Sequence, residues 1–320
     1  MTSPHPQFPS GELCALIGPT AAGKTALSTL VAERAGAEIV SLDSMQVYLG
    51  MDIGTAKPTL QERAGIPHHM LDLVTPDVRY DVQRFLRELQ PVLLDIESRG
   101  KRALFVGGTA FYLKVLTHGL FDGPEVDPAL RARLEEELDQ LGAEAFHAKL
   151  AELDPKSAQR LHPNDGRRVV RALEVLEQTG RTLSAWQQQW REKSGERAAG
   201  NQRRLVGVGH AVPDLDERIL RRTKLMLDGG WPEEAQRVRE TTGFGETSAQ
   251  ALGYSQVLRL LDGELTEQDC AQEIALRTRQ FARKQRTWYR KFEEIQWLEG
   301  VVETDREAMV REALEAFGWA

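Results

Sequence analysis

The stretch that decides the fold is LCALIGPTAAGKTALS, residues 13–28. Its first five residues are apolar without alternation, which is typical of a parallel strand buried on both faces. The next eight match the pattern G-x-x-x-x-G-K-[ST], and the residues after them have a helical pattern. A strand, this loop and a helix in that order predict a P-loop, in which the backbone forms a cradle for phosphate groups.

The residues of this loop suit an anion and its metal ion. Glycines allow backbone N–H groups to curl around a phosphate, and the helix that follows adds its N-terminal dipole. Lys24 supplies charge, and the hydroxyl of Thr25 suits Mg²⁺. We therefore predict that a phosphate or diphosphate binds to Gly18, Pro19, Thr20, Ala21, Ala22, Gly23, Lys24 and Thr25, with Thr25 as the metal ligand. The motif alone does not identify the molecule that carries the phosphate.

Three further apolar runs resemble the first: EIVS at 38–41, ALFV at 103–106 and LVGVG at 205–209. Strands that alternate with helical patterns predict an α/β fold, a doubly wound parallel sheet. Between the third and fourth runs the pattern is helical, which predicts an inserted all-helical domain. The predicted division is residues 1–121 for the first part of the P-loop core, 122–200 for the helical domain, and 201–320 for completion of the core and the C-terminal helices.

The charge distribution bears on possible partners. The formal net charge of −7 argues mildly against nucleic acid, but basic residues crowd into 160–171, 218–224 and 277–291. The last segment, RTRQFARKQRTWYRK, has seven Lys or Arg and no acid. An acidic protein with such basic segments can still bind a polyanion locally.

Other classes are disfavoured by what the sequence lacks. No apolar run reaches the roughly 20 residues that cross a bilayer, and the N-terminal residues do not resemble a signal peptide. Cys14 and Cys270 are far apart, which predicts neither a disulfide framework nor a zinc site. We expect a cytoplasmic monomer with no obligate protein partner.

Asp43 is the most promising acid at the predicted rim of the sheet, because it follows the second predicted strand. A P-loop kinase or ATPase should carry another strand that ends in Asp, yet ALFVGGT (103–109) ends without an acid. We hypothesise that Asp43 is a general base beside the bound phosphate. The alternative is a helix N-cap or turn residue.

Eight blocks of sequence give a resemblance to a known family. They are GPTAAGKTALS, DSMQVY, GTAKPT, PHHMLD, GGTAFYLK, DGRRVVRALEV, QALGYSQ and TRQFARKQRTWYRK. In this order they resemble bacterial tRNA dimethylallyltransferases over roughly 12–300. The P-loop alone is weak support for a family, whereas eight ordered blocks are specific.

This resemblance implies a reaction. The P-loop would hold the diphosphate of dimethylallyl diphosphate, with Mg²⁺ as cofactor. N6 of the adenosine 3′-adjacent to the anticodon, position 37, would attack the allylic carbon in tRNAs that read codons starting with U. Asp43 would take the proton, Thr20 would contact substrate, and Arg222 or Arg218 would contact the diphosphate, with Arg222 favoured. The alternative for this arginine pair is a solvated helix face.

The resemblance also implies contacts with the anticodon stem-loop of tRNA. Val170 is the weakest of them, because core packing explains it equally well, and Thr109 could instead be a turn residue at a strand end. The predicted residues are Asp43, Ser44, Met45, Gln46, Thr109, Arg131, Arg167, Arg168, Val169, Val170, Arg171, Gln250, Ala251, Leu252, Gly253, Tyr254 and Ser255.

The target base must turn out of its loop to reach a pocket, and aromatic residues near basic ones could stack on bases. The candidates are Tyr254, Phe281, Trp288 and Tyr289, and packing in the core is the alternative for each. Three alternatives stay open: a small-molecule P-loop kinase, a prenyltransferase acting on free adenine nucleotides, and an RNA-binding module without catalysis. The adjacent histidines His68 and His69 point in different directions on most backbones, so we do not expect a metal site there.

Overall fold

The computed structural model describes residues 8, 10–120, 124, 127–188, 202–298 and 304–320. The chain divides into two compact units. One unit spans His118–Gly200, and the other combines His5–Thr117 with Asn201–Ala320. We refer to them as the helical unit and the sheet unit.

The sheet unit is built on six parallel strands in the order β3-β2-β4-β1-β5-β6. All six residues of β2 are buried, as expected for a strand covered on both faces. This confirms the predicted α/β fold with a parallel sheet, and four of the strands were predicted. The strands are β1 (Glu12–Ile17), β2 (Ala37–Leu42), β3 (His68–His69), β4 (Arg102–Gly107), β5 (Gln202–Val208) and β6 (Ile295–Leu298).

Helices connect and cover these strands. The helix after the P-loop packs with the last helix, β1 and β5 into one core that includes Leu27, Val31 and Phe317. The helices are Lys24–Ala35, Leu60–Arg63, Val82–Ser98, Ala110–His118, Val212–Asp228, Trp231–Glu240, Tyr254–Leu261, Glu267–Tyr289 and Arg306–Phe317, with a 3₁₀ turn at Ser248–Gln250. No helix in the described part of the chain has the length and apolar character to cross a membrane.

The helical unit has a core of its own. Its described residues form helices at Pro128–Leu141, Ala143–Leu153, Pro155–Ala158, Gly166–Thr179 and 183–188, and no strand. Apolar side chains at helical spacing meet between these helices, among them Leu134, Phe146 and Leu173, each fully buried. The sequence pattern of this segment is therefore that of a small helix bundle.

Candidate active site

The P-loop follows β1 and begins where the backbone leaves no room for a side chain. A Cβ atom at Gly18 would lie 2.2 Å from the carbonyl oxygen of Val208, at the end of β5. Gly23 ends the loop in a left-handed conformation (φ 85°), which favours glycine. Lys24 then starts the helix, so the N–H groups of its first turn face the loop.

Lys24 reaches back over the loop. Its Nζ donates hydrogen bonds to the carbonyl oxygens of Gly18 (3.1 Å) and Pro19 (2.8 Å). Burial and, to a smaller extent, the positive charge of Arg222 lower the pKa of Lys24 to about 8, against the opposing effect of Asp43. The ammonium group therefore lacks the hydration that would stabilise its charge. An anion bound in the loop would stabilise that charge instead.

Two side chains that follow the helical unit in the sequence bind the backbone of the P-loop. Arg218 Nε donates to the carbonyl oxygen of Ala21 at 2.9 Å, and His210 Nε2 donates to that of Ala22 at 3.1 Å. C=O and N–H point in opposite directions across a trans peptide. These bonds therefore direct the N–H groups of Ala22 and Gly23 away from Arg218 and His210. Arg218 thus holds the loop itself, whichever group its terminal nitrogens contact.

Asp43 lies just after β2 in a half-buried position. Burial raises the pKa of its carboxyl, although hydrogen bonds from the N–H groups of Met45 (2.8 Å) and Gln46, and the charges of Lys24 and Arg222, act in the opposite direction. A carboxylate with a raised pKa accepts a proton more readily than an exposed one. Asp43 has the environment of a base.

Thr109 and Gln46 hold the loop that carries Asp43. Thr109 accepts a hydrogen bond from the N–H of Ser44 (3.2 Å) and donates its own N–H to Leu42 (3.1 Å), on either side of Asp43. Gln46 accepts from the hydroxyl of Ser41 and donates to the carbonyls of Thr55 and Ala56. Thr109 and Gln46, both predicted to contact RNA, thus stabilise the loop that carries Asp43.

Arg222 stands one helical turn from Arg218. Burial lowers the pKa of Arg222, while the negative charges of Glu62 and Asp43 raise it. The described residues include no carboxylate in ion-pair contact with Arg222. Its charge is therefore available to a substrate anion.

Two cavities meet at these residues. The first, about 390 Å³, is lined by the P-loop from Thr20 to Thr25, and the second, about 500 Å³, by the segment Gln250–Gly253 with Ser255. Both are large enough for part of a small-molecule ligand. The residues that line both are Thr20, Ala21, Asp43, Thr55, Ala56, Arg222 and Phe281. Asp43 therefore faces a phosphate-binding cavity and a second cavity at once.

Most of the predicted contacts in the sheet unit line the second cavity. Ser44, Met45, Thr109, Gln250, Ala251, Leu252, Gly253 and Ser255 do so, whereas Gln46 lines the first. Tyr254 is different, because it is only 1% exposed and its hydroxyl donates to Glu234 at 2.6 Å. Its side chain is part of the core.

The predicted contacts in the helical unit fall into two groups. Arg167 and Arg168 are exposed, as an RNA-binding residue must be. Val169 and Val170 are 1% and 2% exposed and belong to the core of the unit, so their side chains cannot contact RNA in this structure.

Arg131 and Arg171 serve a buried acid. They donate to Oε2 of Glu174 at 2.6 and 2.8 Å, and Glu174 is fully buried. Arg171 also donates to the carbonyl of Pro124 at 2.6 Å. Any contact with RNA would be additional to this structural role.

The stacking candidates also divide. Tyr254 and Tyr289 are each 1% exposed, so the stacking hypothesis is wrong for both. Phe281 is 44% exposed and lines both cavities. Trp288 is half-buried, with Lys291 above its ring at 4.8 Å.

The donors at the P-loop fit a magnesium ion only in company with a diphosphate. Thr25 lines the first cavity, and in the described ranges no group of three or more His, Cys, Asp or Glu residues is arranged to hold a metal. Mg²⁺ prefers oxygen ligands and is commonly shared between a protein hydroxyl or carboxylate, phosphate oxygens and water. His68 bonds to Ile66 while His69 bonds to Glu38, so the two histidines do not form a metal pair.

Three residues of the site escaped the sequence prediction. Gln285 and His210 bond the P-loop directly, and Glu234 holds a nearby loop. Gln285 is the most deeply embedded of the P-loop partners, at 5% exposure. A polar residue at an apolar position of the helix Glu267–Tyr289 was the one available signal.

Comparison with known proteins identifies the family. A family model described as IPP transferase matches residues 46–292, and one described as isopentenyl transferase matches residues 11–73. The tRNA dimethylallyltransferase of Geobacter metallireducens is 43% identical over 286 residues, which cover 88% of this chain and 90% of that protein. The tRNA dimethylallyltransferase of Streptomyces coelicolor is 43% identical over 312 residues, 96% of each protein.

Solved structures agree. The full-length tRNA isopentenylpyrophosphate transferase of Bacillus halodurans has a TM-score of 0.67 and 32% identity, with 96% of this chain and 98% of that chain covered. A eukaryotic dimethylallyltransferase acting on tRNA has a TM-score of 0.77 and 27% identity, with 95% and 77% covered. The resemblance in the eight sequence blocks is confirmed, and the chain belongs to the IPP transferase family, the family of the tRNA dimethylallyltransferases.

Proposed function

We propose that this enzyme transfers the dimethylallyl group of dimethylallyl diphosphate to N6 of the adenosine at position 37 of tRNAs that read codons starting with U. One observation carries the proposal: Asp43 lines both the cavity of the P-loop and the cavity of the 250–255 segment. A base at this junction faces a diphosphate ester on one side and an incoming amine on the other.

The P-loop side stabilises the leaving group. As the allylic C–O bond breaks, its electron pair and negative charge move to the diphosphate, where Lys24, Arg222 and the N–H groups at the helix start meet them. Each well-placed donor of this kind stabilises the transition state by ~3–4 kcal/mol. Mg²⁺, held by Thr25 and the diphosphate oxygens, would add positive charge to the same group.

The Asp43 side activates the nucleophile. The adenine amine is a weak nucleophile, so a base must remove a proton as the N6–C bond forms. Burial has raised the pKa of Asp43, which favours that transfer. The bond made is N–C, the bond broken is C–O, the proton goes to Asp43, and diphosphate is released.

The second cavity suits the RNA. Its volume of about 500 Å³ admits a base turned out of the anticodon loop, a movement that costs a few kcal/mol. Arg277 and Lys284 line it and would attract the backbone phosphates. In the helical unit the exposed Arg167 and Arg168 are the best placed to contact tRNA. We further propose that the enzyme acts in the cytoplasm.

Mass spectrometry of an anticodon stem-loop tests the reaction. After incubation with enzyme, Mg²⁺ and dimethylallyl diphosphate, we expect a mass gain of one dimethylallyl unit on the base 3′ to the anticodon. Reactions with ATP in place of the allyl donor, or with AMP in place of RNA, should give no product. Phosphorylation by ATP would indicate a kinase, and efficient prenylation of AMP would indicate an enzyme for free nucleotides.

A further inference from the structure

Gln285 joins two parts of the active site that are distant in sequence. Its Oε1 accepts the N–H of Thr20 in the P-loop at 2.9 Å, and its Nε2 donates to the carbonyl of Gly108, just after β4, at 2.7 Å. Because one end of the amide accepts and the other donates, only one orientation satisfies both partners. The side chain is 5% exposed, so water cannot easily replace either bond.

Gly108 is shaped to receive this amide. A Cβ atom there would lie 2.5 Å from Nε2 of Gln285, so an alanine would displace the glutamine. The next residue, Thr109, bonds the backbone of Leu42 and Ser44, which flank Asp43. One end of the Gln285 amide is therefore linked, through the 108–109 turn, to the loop that carries the base.

The other end is linked to the anion cradle. Thr20 belongs to the P-loop and lines both cavities. In the described part of the chain, no other side chain accepts a hydrogen bond from the N–H of Thr20. The amide is thus a bridge of two hydrogen bonds between the diphosphate site and the loop of the base.

We propose that Gln285 is a positioning residue that sets the distance between the diphosphate cradle and Asp43, so that the allylic carbon and the amine meet in line. This inference rests on the proposed transfer reaction and adds to it a residue that lines the P-loop cavity and acts through the two loops that it joins. Each site alone keeps its own contacts without the bridge. Without the bridge, however, the two sites are no longer held in alignment with each other. A displacement of about 1 Å can lower a rate by about 100-fold.

Two substitutions break the bridge in different ways. Gln285→Glu keeps the size and the acceptor for Thr20, but its carboxylate repels the carbonyl of Gly108. Gly108→Ala keeps the glutamine, but the new Cβ atom displaces its amide from the carbonyl of Gly108. For both we expect the single-turnover rate with dimethylallyl diphosphate and an anticodon stem-loop to fall about 100-fold. Gly108→Ala adds no charge to the P-loop cavity, so in that variant the binding of inorganic diphosphate and of the stem-loop, measured separately by calorimetry, should change less than about threefold.

A matched control and a double variant complete the test. Gln272→Glu makes the same change at an exposed position of the same helix and should leave the rate unchanged. The double variant Gln285→Glu with Gly108→Ala should be no slower than either single variant, because both remove one bridge. Additive losses, or a loss of diphosphate affinity in Gly108→Ala equal to its loss of rate, would overturn the inference.

The same experiment separates the two proposals. An inactive wild-type enzyme would overturn the proposed function and this inference with it. An active wild type together with equally active Gln285→Glu and Gly108→Ala variants would overturn the inference alone. Melting temperatures of all variants identify any loss of rate that comes from unfolding.

Discussion

Each unit has two cations near a carboxylate, Glu174 in the helical unit and Asp43 in the sheet unit, but the two regions use their charges differently. In the helical unit Arg131 and Arg171 donate to Glu174 directly, so the charges compensate one another inside the protein. In the sheet unit the half-buried cations Lys24 and Arg222 have no ion-pair partner among the described residues, and desolvation lowers the pKa of each. Charges that are paired internally stabilise a fold, whereas charges left facing a cavity await a ligand.

Neutralising the carboxylates of Asp43 and Glu174 tests this difference most strongly. Asp43→Asn should lower the prenylation rate about 1,000-fold, because a general base contributes 10²–10⁴. Since its folded pKa is raised, the ionised Asp43 destabilises the fold at neutral pH, so the variant should melt at a higher temperature. Glu174→Gln should do the opposite and lower the melting temperature while the folded fraction keeps its rate. Stem-loop assays and thermal melts of both variants check this, and a stabilised Glu174→Gln would contradict it.

Neutralising one arginine in each unit gives the next largest effect. Arg222→Gln should lower the rate about 100-fold through weaker stabilisation of the leaving diphosphate, with little change in stability. Arg131→Gln leaves Glu174 with one donor fewer and should reduce the free energy of unfolding by about 1–2 kcal/mol, a value reduced for the partial exposure of the arginine. Urea denaturation and single-turnover kinetics distinguish the two. Equal losses of rate in both variants would remove the contrast between the units.

Glu234 shows that the sheet unit also holds a fully compensated acid. Its carboxylate accepts the N–H groups of Asp52 (2.7 Å), Ile53 (2.8 Å) and Gly54 (3.0 Å) as well as the hydroxyl of Tyr254. Glu234→Gln turns an amide donor toward these donors and should reduce the free energy of unfolding by about 2–3 kcal/mol.

The neighbour Glu233 is exposed, so Glu233→Gln is the matched control and should change stability by less than about 0.5 kcal/mol. Urea denaturation of both variants makes the comparison. A Glu234→Gln variant as stable as the control would show that the four hydrogen bonds contribute nothing net.

The smallest effect is a pH dependence that belongs to the cavity alone. Lys24 has a pKa of about 8 in the free protein, and a bound diphosphate raises it. Affinity for inorganic diphosphate should therefore be full below pH 8 and fall, by at most about tenfold per pH unit, as pH rises above 8. Lys24→Arg is the control, because arginine stays charged over this pH range. The titration of the diphosphate itself affects both proteins equally. Calorimetry from pH 7 to 10 that gave parallel curves would contradict the prediction.

The sequence predicted the centre of the fold better than its edges. β1 and the P-loop were evident because an unbroken apolar run led into a specific motif. β3 has two residues, both histidine, and β6 has only its end residues buried, so neither has a strand pattern. Such short edge strands form because the neighbouring strand offers hydrogen-bonding groups, which local sequence does not show.

The site was predictable where chemistry dictates residue type and not where packing does. Asp43 was proposed from its place after a strand and Arg222 from the family resemblance, and both line the two cavities. Gln285 was missed because its partners are 265 and 177 residues away in sequence. For Tyr254 stacking and core packing both stayed open, because a single sequence does not show which face of a helix is covered.

The loop at Asp52–Gly54 has a consequence for ligand selection. Three successive N–H groups that converge on one point form a nest for anions, much as the P-loop does. Glu234 fills that nest permanently from within the protein. If a diphosphate enters the second cavity, which Gly54 lines, the N–H groups of this nest are therefore already occupied, and those of the P-loop remain to bind it.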